Sequence, residues 1–94
     1  MNALTSLTVT DATAASQEWL ARLDQEGTGF ELDLAGVTRL DAAGVQLLLA
    51  LEQETRRRSI PLRLRNPSPE CRRVFLQIGL GEALARLTGP EVNR

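Results

Sequence analysis

Three short segments of the chain alternate apolar and polar residues, which is the pattern of a half-buried β-strand. They are residues 4–9 (LTSLTV), 30–34 (FELDL) and 62–65 (LRLR). The alternation is most regular in the second segment, where three apolar residues flank two acidic ones. It is least regular in the first segment, so we predict three strands, with the first at an edge of the sheet.

The segment after residue 10 has the period of an amphipathic helix. Asp11 and Thr13 are alternative N-caps, because their side-chain oxygens can accept hydrogen bonds from the free N–H groups of a first turn. Two glycines in EGTG (residues 26–29) predict a break after this helix. The predicted core face consists of Ala12, Ala15, Trp19 and Leu23.

A second helix, the most apolar one, is predicted over residues 42–58. Asp41 is its predicted N-cap, and the arginines of TRRR lie at the C-terminal end, where the helix dipole favours positive charge. The predicted core stripe is Leu47, Leu48, Leu51 and Thr55. The opposite face carries Gln46, Leu49, Gln53 and Arg56 or Arg57, with Val45 at the margin.

The segment NPSPE (residues 66–70) predicts the start of a third helix, with Ser68 as N-cap and Pro69 at the first helical position. Gly79 is the predicted stop. A short fourth helix follows in LGEALARL, and TGPEVNR (residues 88–94) is predicted to fray. The core stripe of the third helix is predicted to be Cys71, Val74, Phe75 and Ile78.

Strands and helices therefore alternate along the chain, with AGVTRL (residues 35–40) predicted as a loop. Consecutive strand–helix–strand units imply parallel strands joined by right-handed crossovers. We predict an α/β fold in which a small, mostly parallel sheet is packed by three to four helices. A length of 94 residues fits a single domain over residues 1–94.

Composition narrows the possible chemistry. The chain has no histidine, so the commonest general base and neutral metal ligand is absent, and we expect no metal and no cofactor. Cys71 is the only cysteine and cannot form an intramolecular disulfide, which favours a reducing, cytoplasmic location. No signal peptide is indicated, and the run GVQLLLAL is too short to cross a bilayer.

The net charge of −1 gives no general attraction to nucleic acid. Seven arginines are candidates for a nucleic-acid patch, but they are predicted to spread over two helices and a strand, and twelve acidic residues balance the eleven basic ones. A solvated surface is the favoured interpretation. The seven are Arg56, Arg57, Arg58, Arg63, Arg65, Arg72 and Arg73.

One interpretation of the chain is that it is an enzyme, and this interpretation depends on two carboxylates. Asp33 and Asp41 fall at the edge where a strand, a loop and a helix meet. No histidine or lysine is present to complete a catalytic group, and the phosphate-binding pattern GxxxxGK[ST] is missing. We therefore expect no enzymatic activity.

The segment DLAGVTRLDAAG, from Asp33 to Gly44, is followed by a leucine-rich helix and, much later, by Gly79 and Leu80. This arrangement resembles the STAS domain, the family of bacterial anti-sigma factor antagonists and sulfate-transporter tails. The resemblance covers roughly residues 5–87 and implies a sheet of about four strands.

The resemblance also implies a degenerate phosphoacceptor site. In phosphorylated members of the family a serine precedes the glycine, within D-S-S/T-G, and that position is Ala43 here. The preceding position, often serine or threonine in relatives, is Ala42. Alanine has no oxygen to accept phosphate, although two alanines are also simply good helix formers. Thr38 is the nearest hydroxyl but does not match the family's site.

STAS domains bind partners with this helix and the loop before it, so the resemblance implies docking through loop 37–41 and helix 42–58. The implied partner is an anti-sigma factor or a serine-kinase-type regulator. The alternatives are a small subunit on the ATPase of a phospholipid-transport ABC complex and a chemotaxis-associated scaffold. The candidate contact residues are Thr38, Arg39, Asp41, Val45, Gln46, Leu49 and Gln53.

Two details of this expected surface remain open. Asp41 is either a helix cap, which we favour, or an acid that polarises a neighbouring hydroxyl. Leu49 is either a docking residue or an ordinary exposed leucine.

Only one clear strand precedes Asp11, where many STAS domains open with a hairpin, and no strand is evident after the third helix. A small sheet with an exposed edge is a possible site of homodimerisation.

Overall fold

The computed structural model describes residues 4–25 and 29–89, and these ranges contain four strands and four helices. The predicted α/β class is confirmed. Strands and helices follow one another in the order β1 (Ser6–Leu7), α1 (Ala12–Gln25), β2 (Phe30–Asp33), β3 (Arg39–Leu40), α2 (Ala42–Arg57), β4 (Leu62–Arg65), α3 (Pro69–Gln77) and α4 (Gly81–Thr88).

All described strands pair in parallel, as two separate two-stranded sheets. β1 pairs with β3, and β2 pairs with β4, with Phe30 opposite Leu62 and Asp33 opposite Arg65. In β2 the apolar residues are buried and the acidic ones exposed, as the alternation predicts. The strand pairs place the ends of β1 and β3 beside the start of α2.

Two predictions about the strands are wrong. The predicted loop 35–40 contains β3, a two-residue strand that is too short to show alternation in the sequence. The predicted strand 4–9 shrinks to the two residues of β1. β1 ends there because the next amide, that of Thr8, donates to the Asp11 carboxylate at 2.9 Å.

The core lies between the helices and the strands. The predicted faces of α1, α2 and α3 are largely confirmed, except that Ala12 and Leu47 are half-buried. Ile78 is 40% exposed, because α3 ends at Gln77 and Ile78 is the C-cap residue rather than part of the helical stripe. The buried members are Ala15, Trp19, Leu23, Leu48, Leu51, Thr55, Cys71, Val74 and Phe75.

The ends of the helices follow local signals in the sequence. Asp41 caps α2, Ser68 caps α3 and Pro69 occupies its first position, as predicted. Gly79 has a φ of 81°, the left-handed conformation that favours glycine after a helix. Residues 26–28 of the predicted break at 26–29, and residues 90–94 of the segment 88–94 that was predicted to fray, lie outside the described residues, whereas Thr88 is the last residue of α4. None of the described helices has the length and apolar character that a membrane crossing needs.

Candidate functional site

The carboxylate of Asp41 joins two segments at the start of α2. One oxygen, Oδ1, accepts the Gly44 amide at 2.9 Å, which is the N-cap hydrogen bond of the helix. The other, Oδ2, accepts the Val9 amide at 3.0 Å, from the loop between β1 and α1. Both carboxylate oxygens are therefore used to hold backbone, and the structure favours the cap over the catalytic interpretation of this residue.

Asp11 holds the same loop from the other side. Its Oδ2 accepts the Ser6 hydroxyl at 2.7 Å, the Thr8 amide at 2.9 Å and the Thr8 hydroxyl at 3.0 Å. Asp11 directly precedes α1, but its carboxylate bonds back to the loop. The successive amides of Thr8 and Val9 thus donate to two different carboxylates, which fixes the loop against the start of α2.

Val9 is presented to solvent by this arrangement. Its side chain is 69% exposed, although its backbone is tied to Asp41. Val9 was not predicted as a site residue, because Val9 and Asp41 are 32 residues apart and only the fold brings them together. The rough alternation of residues 4–9 was the only local signal at this position.

Both carboxylates are stabilised in the charged form. Hydrogen bonds from the Gly44 amide and then the Val9 amide hold the pKa of Asp41 below its ordinary value. Hydrogen bonds from the Ser6 hydroxyl and then the Thr8 amide lower the pKa of Asp11 in the same way. Because donated hydrogen bonds favour the ionised carboxyl, both groups carry negative charge at neutral pH.

Gly44 allows α2 to approach the strands closely. A Cβ at this position would overlap the carbonyl oxygen of Leu7 and lie 2.8 Å from Leu40 Cδ1. The first turn of α2 therefore packs directly on the backbone of β1, and glycine is required there by space rather than by backbone conformation. This contact sets the position of Ala42 and Ala43 relative to both loops.

Ser68 fixes the loop before α2 from a third direction. Its hydroxyl donates to the Val37 carbonyl at 2.7 Å and accepts the Cys71 amide at 3.1 Å. The side chain is buried, so this residue links the cap of α3 to the start of loop 37–41. The cap was predicted from the sequence, whereas the hydrogen bond from Ser68 to the loop was not.

The other predicted contact residues divide into exposed and buried ones. Gln46, Gln53, Thr38 and Arg39 are exposed, and the Thr38 amide donates to the Thr5 carbonyl at 2.9 Å. Val45 and Leu49 instead lie against the core, because the apolar face of α2 is wider than the predicted stripe. Val45 is 0% exposed and Leu49 is half-buried against the core.

At the first turn of α2, Ala42 is exposed and Ala43 is half-buried. Ala42, Gln46, Leu49 and Gln53 follow one another at intervals of three or four residues, so they form a single stripe along the helix. This stripe, the exposed Thr38 and Arg39 of loop 37–41, and Val9, whose amide is bonded to Asp41, together make up the candidate surface at the start of α2.

The residues of the enzyme hypothesis do not form a common site. Asp33 Oδ1 accepts the Ala35 amide at 2.9 Å, which is a local turn contact, and both oxygens of Asp41 are bonded to backbone. Within residues 4–25 and 29–89, no group of three histidine, cysteine or acidic residues is arranged to hold a metal ion.

The arginines at the end of α2 are paired with carboxylates. Arg57 and Arg58 contact Glu54 at 2.6 and 2.7 Å, and Arg58 also reaches Asp24 on α1 at 2.8 Å. Arg86 on α4 binds Glu52 through two nitrogens, each at 2.8 Å, which lowers the pKa of Glu52. These ion pairs link α2 to both neighbouring helices.

We predict that acid weakens the fold through Asp41. Its pKa is lower in the folded state, so its stabilising effect is present above the unfolded pKa of about 3.9 and is lost as the pH falls through the folded value. Urea unfolding from about pH 7 to about pH 2.5 should show the free-energy difference between the parent and Asp41→Asn narrowing over that window. An NMR titration that gives Asp41 a carboxyl pKa of about 3.9 or higher would contradict the assigned contacts.

Comparison with known proteins identifies the family of the chain. A family model described as "Mlab, STAS domain" matches residues 2–88. No curated protein and no solved structure matches the chain at a significant level. The matched range contains the whole of the segment from Asp33 to Gly44, on which the resemblance was based, and every described helix and strand. The chain therefore belongs to the STAS domain family.

Proposed function

We propose that this STAS domain is a non-catalytic interaction module, similar to an anti-sigma factor antagonist, that binds a protein partner in the cytoplasm. The proposed docking surface consists of Val9, Thr38, Arg39, Asp41, Ala42, Gln46, Leu49 and Gln53. Val45 is left out because it is buried. The observation that carries the proposal is the rigid attachment of both loops to the start of α2, through Asp41, Asp11 and Ser68.

Rigid attachment suits a docking surface. Binding costs less when loops are already held in their bound conformation, because less conformational entropy is lost. Here the hydrogen bonds of two carboxylates and one buried hydroxyl supply that order without a ligand. The exposed side chain of Val9 adds an apolar contact to a surface that is otherwise mainly polar.

The side chains at the start of α2 make the module a permanent binder. Ala42 and Ala43 have no oxygen that could accept a phosphoryl group. The family's usual switch adds about 1.5–2 negative charges to this surface and repels the partner. Without an acceptor at the family's position, the surface keeps the binding-competent state that phosphorylation there would abolish.

A second candidate function is a small STAS subunit bound to the ATPase of a phospholipid-transport ABC complex. It is favoured by the same two alanines, since a subunit that stays assembled needs no phosphorylation switch. Both candidates use the same docking surface and differ in the partner. The two candidates are distinguished by mass spectrometry of a protein that co-purifies in an amount equal to that of this chain. That protein is a kinase-type regulator in the first case and a transporter ATPase in the second.

The docking surface is tested by quantitative capture from the cells that express the chain. We predict that Gln46→Arg reduces the recovered partner about tenfold relative to the parent, because a long charged side chain then occupies the centre of the surface. The matched control is Gln17→Arg, at an exposed position on α1. Equal recovery by the parent and both variants would show that α2 is not the docking helix.

A further inference from the structure

A groove of about 740 Å³ lies between α3 and α4, on residues that the proposed docking surface does not use. Only three residues join these helices, so the two helices fold back on one another with the groove between them. The groove is an open trough rather than an enclosed pocket. Its apolar wall is formed by Pro67, Leu76, Leu84 and Ala85.

The end of the groove near the turn between the helices exposes aliphatic surface. Leu76, a lining residue, is 69% exposed, and Ile78 in the turn is 40% exposed. A Cβ at Gly81 would lie 2.8 Å from Leu76 Cδ2, so the Leu76 side chain lies against the start of α4. An apolar side chain from another molecule would remove this aliphatic surface from water, which is favourable.

Two arginines at the groove have no carboxylate partner. Arg72 lies on α3 and lines the groove. Arg63 comes from β4, and its Nη2 is 3.4 Å from the position that a Cβ of Gly89, another lining residue, would occupy. Within the described residues, neither arginine side chain forms an ion pair or a hydrogen bond. The groove therefore carries uncompensated positive charge.

The acidic residues of the same elements do not neutralise this charge. Glu31 lies opposite Arg63 in the strand pair, but its carboxylate contacts Arg65 at 3.5 Å. Glu70 already forms an ion pair within α3, and Glu82 on α4 is not a lining residue. Among the described residues that line the groove, the charged ones are arginines.

The two unpaired arginines are what remains of the seven that the sequence offers as a nucleic-acid patch. Within the described residues, each of the other five forms an ion pair with a carboxylate. Arg63 and Arg72 belong to different elements, β4 and α3, and the fold brings both to one groove. Free positive charge and exposed aliphatic surface thus coincide in one place.

We infer that this groove binds an acidic segment of a partner protein that carries a large apolar side chain among its carboxylates. The apolar side chain contacts Leu76 and Ala85 in the trough, and the carboxylates pair with Arg63 and Arg72. Arginine suits this role because its planar guanidinium can donate two parallel hydrogen bonds to one carboxylate. The inference does not rest on the proposed function, because none of these residues belongs to the docking surface.

Charge and shape favour an acidic segment over other occupants. A second copy would bring the positive charge of its own groove with it, and like charges across an interface are unfavourable. A small molecule would stay largely exposed in so open a trough, whereas typical small-molecule sites bury about 70–90% of the ligand. Single-stranded nucleic acid binds by stacking its bases on aromatic rings, and the described lining residues include none.

Fluorescence anisotropy of the full chain with labelled peptides tests the inference. The probe is a peptide with two leucines between two pairs of glutamates, and the control peptides replace either the glutamates by lysine or the leucines by glycine. The parent should bind the probe at least about tenfold more tightly than either control peptide. A parent that binds all three peptides equally, or binds none of them, would overturn the inference.

Variants that remove one positive charge locate the site on the protein. Arg63→Gln and Arg72→Gln should each weaken binding of the acidic probe about fivefold, because each removes one ion pair with the peptide. Arg57→Gln on α2 removes the same charge away from the groove and should change the affinity by less than about twofold. An equal loss in all three variants would reflect net charge alone and would contradict the assignment to this groove.

A further variant tests the apolar contact. Leu76→Ser should weaken binding of the probe about fivefold, because less aliphatic surface is then buried. The control is Leu20→Ser, at a position that is 41% exposed on α1, and circular dichroism verifies that each variant is folded. An affinity that Leu76→Ser leaves unchanged would show that the peptide does not occupy the trough.

Two measurements on the parent test the other macromolecular occupants. A labelled oligouridylate should bind more weakly than the acidic probe, and sedimentation equilibrium without peptide should show no dimer that depends on Leu76. Tighter binding of the oligouridylate would assign the groove to RNA, and a dimer that Leu76→Ser dissociates would assign it to a second copy. Either result would overturn the inference.

Discussion

Replacing Gly44 by alanine is expected to lower the free energy of unfolding by about 2–3 kcal/mol, near the upper end of what overpacking costs. The added methyl would overlap the Leu7 carbonyl oxygen, a rigid backbone atom, and would press on Leu40. In a helix, alanine is ordinarily more favourable than glycine by about 1 kcal/mol. The steric clash must therefore outweigh this gain in helix propensity. The start of α2 would have to move away from β1 to relieve it.

Urea unfolding of the parent, Gly44→Ala and Gly36→Ala measures this effect. Gly36 is the matched control because a Cβ there would be 3.5 Å from the nearest atom, which is ordinary contact, and its φ is not positive. We expect Gly36→Ala to change stability by no more than about 0.5 kcal/mol. If Gly44→Ala were as stable as the parent, α2 would not pack on β1 as the structure shows.

Such a displacement would also affect the docking surface. Gly44 donates the cap hydrogen bond to Asp41, and Asp41 holds Val9. Moving the first turn of α2 therefore disturbs the loop after β1 as well as the helix. We therefore expect stability and binding to be linked at the proposed docking surface, because the same carboxylate holds both the helix and the loop.

The features that the sequence predicted correctly are local ones. Asp41 and Ser68 were identifiable as caps because a cap needs only a side-chain oxygen and an amide three residues later. The faces of α1 and α2 followed from helical periodicity. The family resemblance, confirmed by the match to residues 2–88, depended on one continuous segment of twelve residues.

The features that the sequence missed depend on tertiary contacts. β3 exists because Arg39 and Leu40 find partners on β1, more than thirty residues earlier. Val45 is buried because the first turn of α2 is pressed against the strands, which moves the edge of its apolar face. The bond from Ser68 to Val37 joins residues 31 positions apart, and no local pattern indicates it.

The Ala42→Asp variant tests the claim of permanent binding most directly. Ala42 is exposed in the first turn of α2, where a negative charge is favourable to the helix, so the variant should remain folded. The new carboxylate would place a negative charge one residue before the degenerate phosphoacceptor position Ala43, beside Asp41 and within the proposed docking surface. Since unfavourable charge in an interface costs several kcal/mol, we expect about a hundredfold weaker binding.

Isothermal titration calorimetry with the partner captured by the parent chain provides the measurement. We expect tight binding by the unmodified parent, a dissociation constant about a hundred times larger for Ala42→Asp, and an unchanged value for Ala21→Asp, an exposed position on α1. Equal dissociation constants for all three proteins would contradict it, because the charge would then lie outside the surface that the partner contacts.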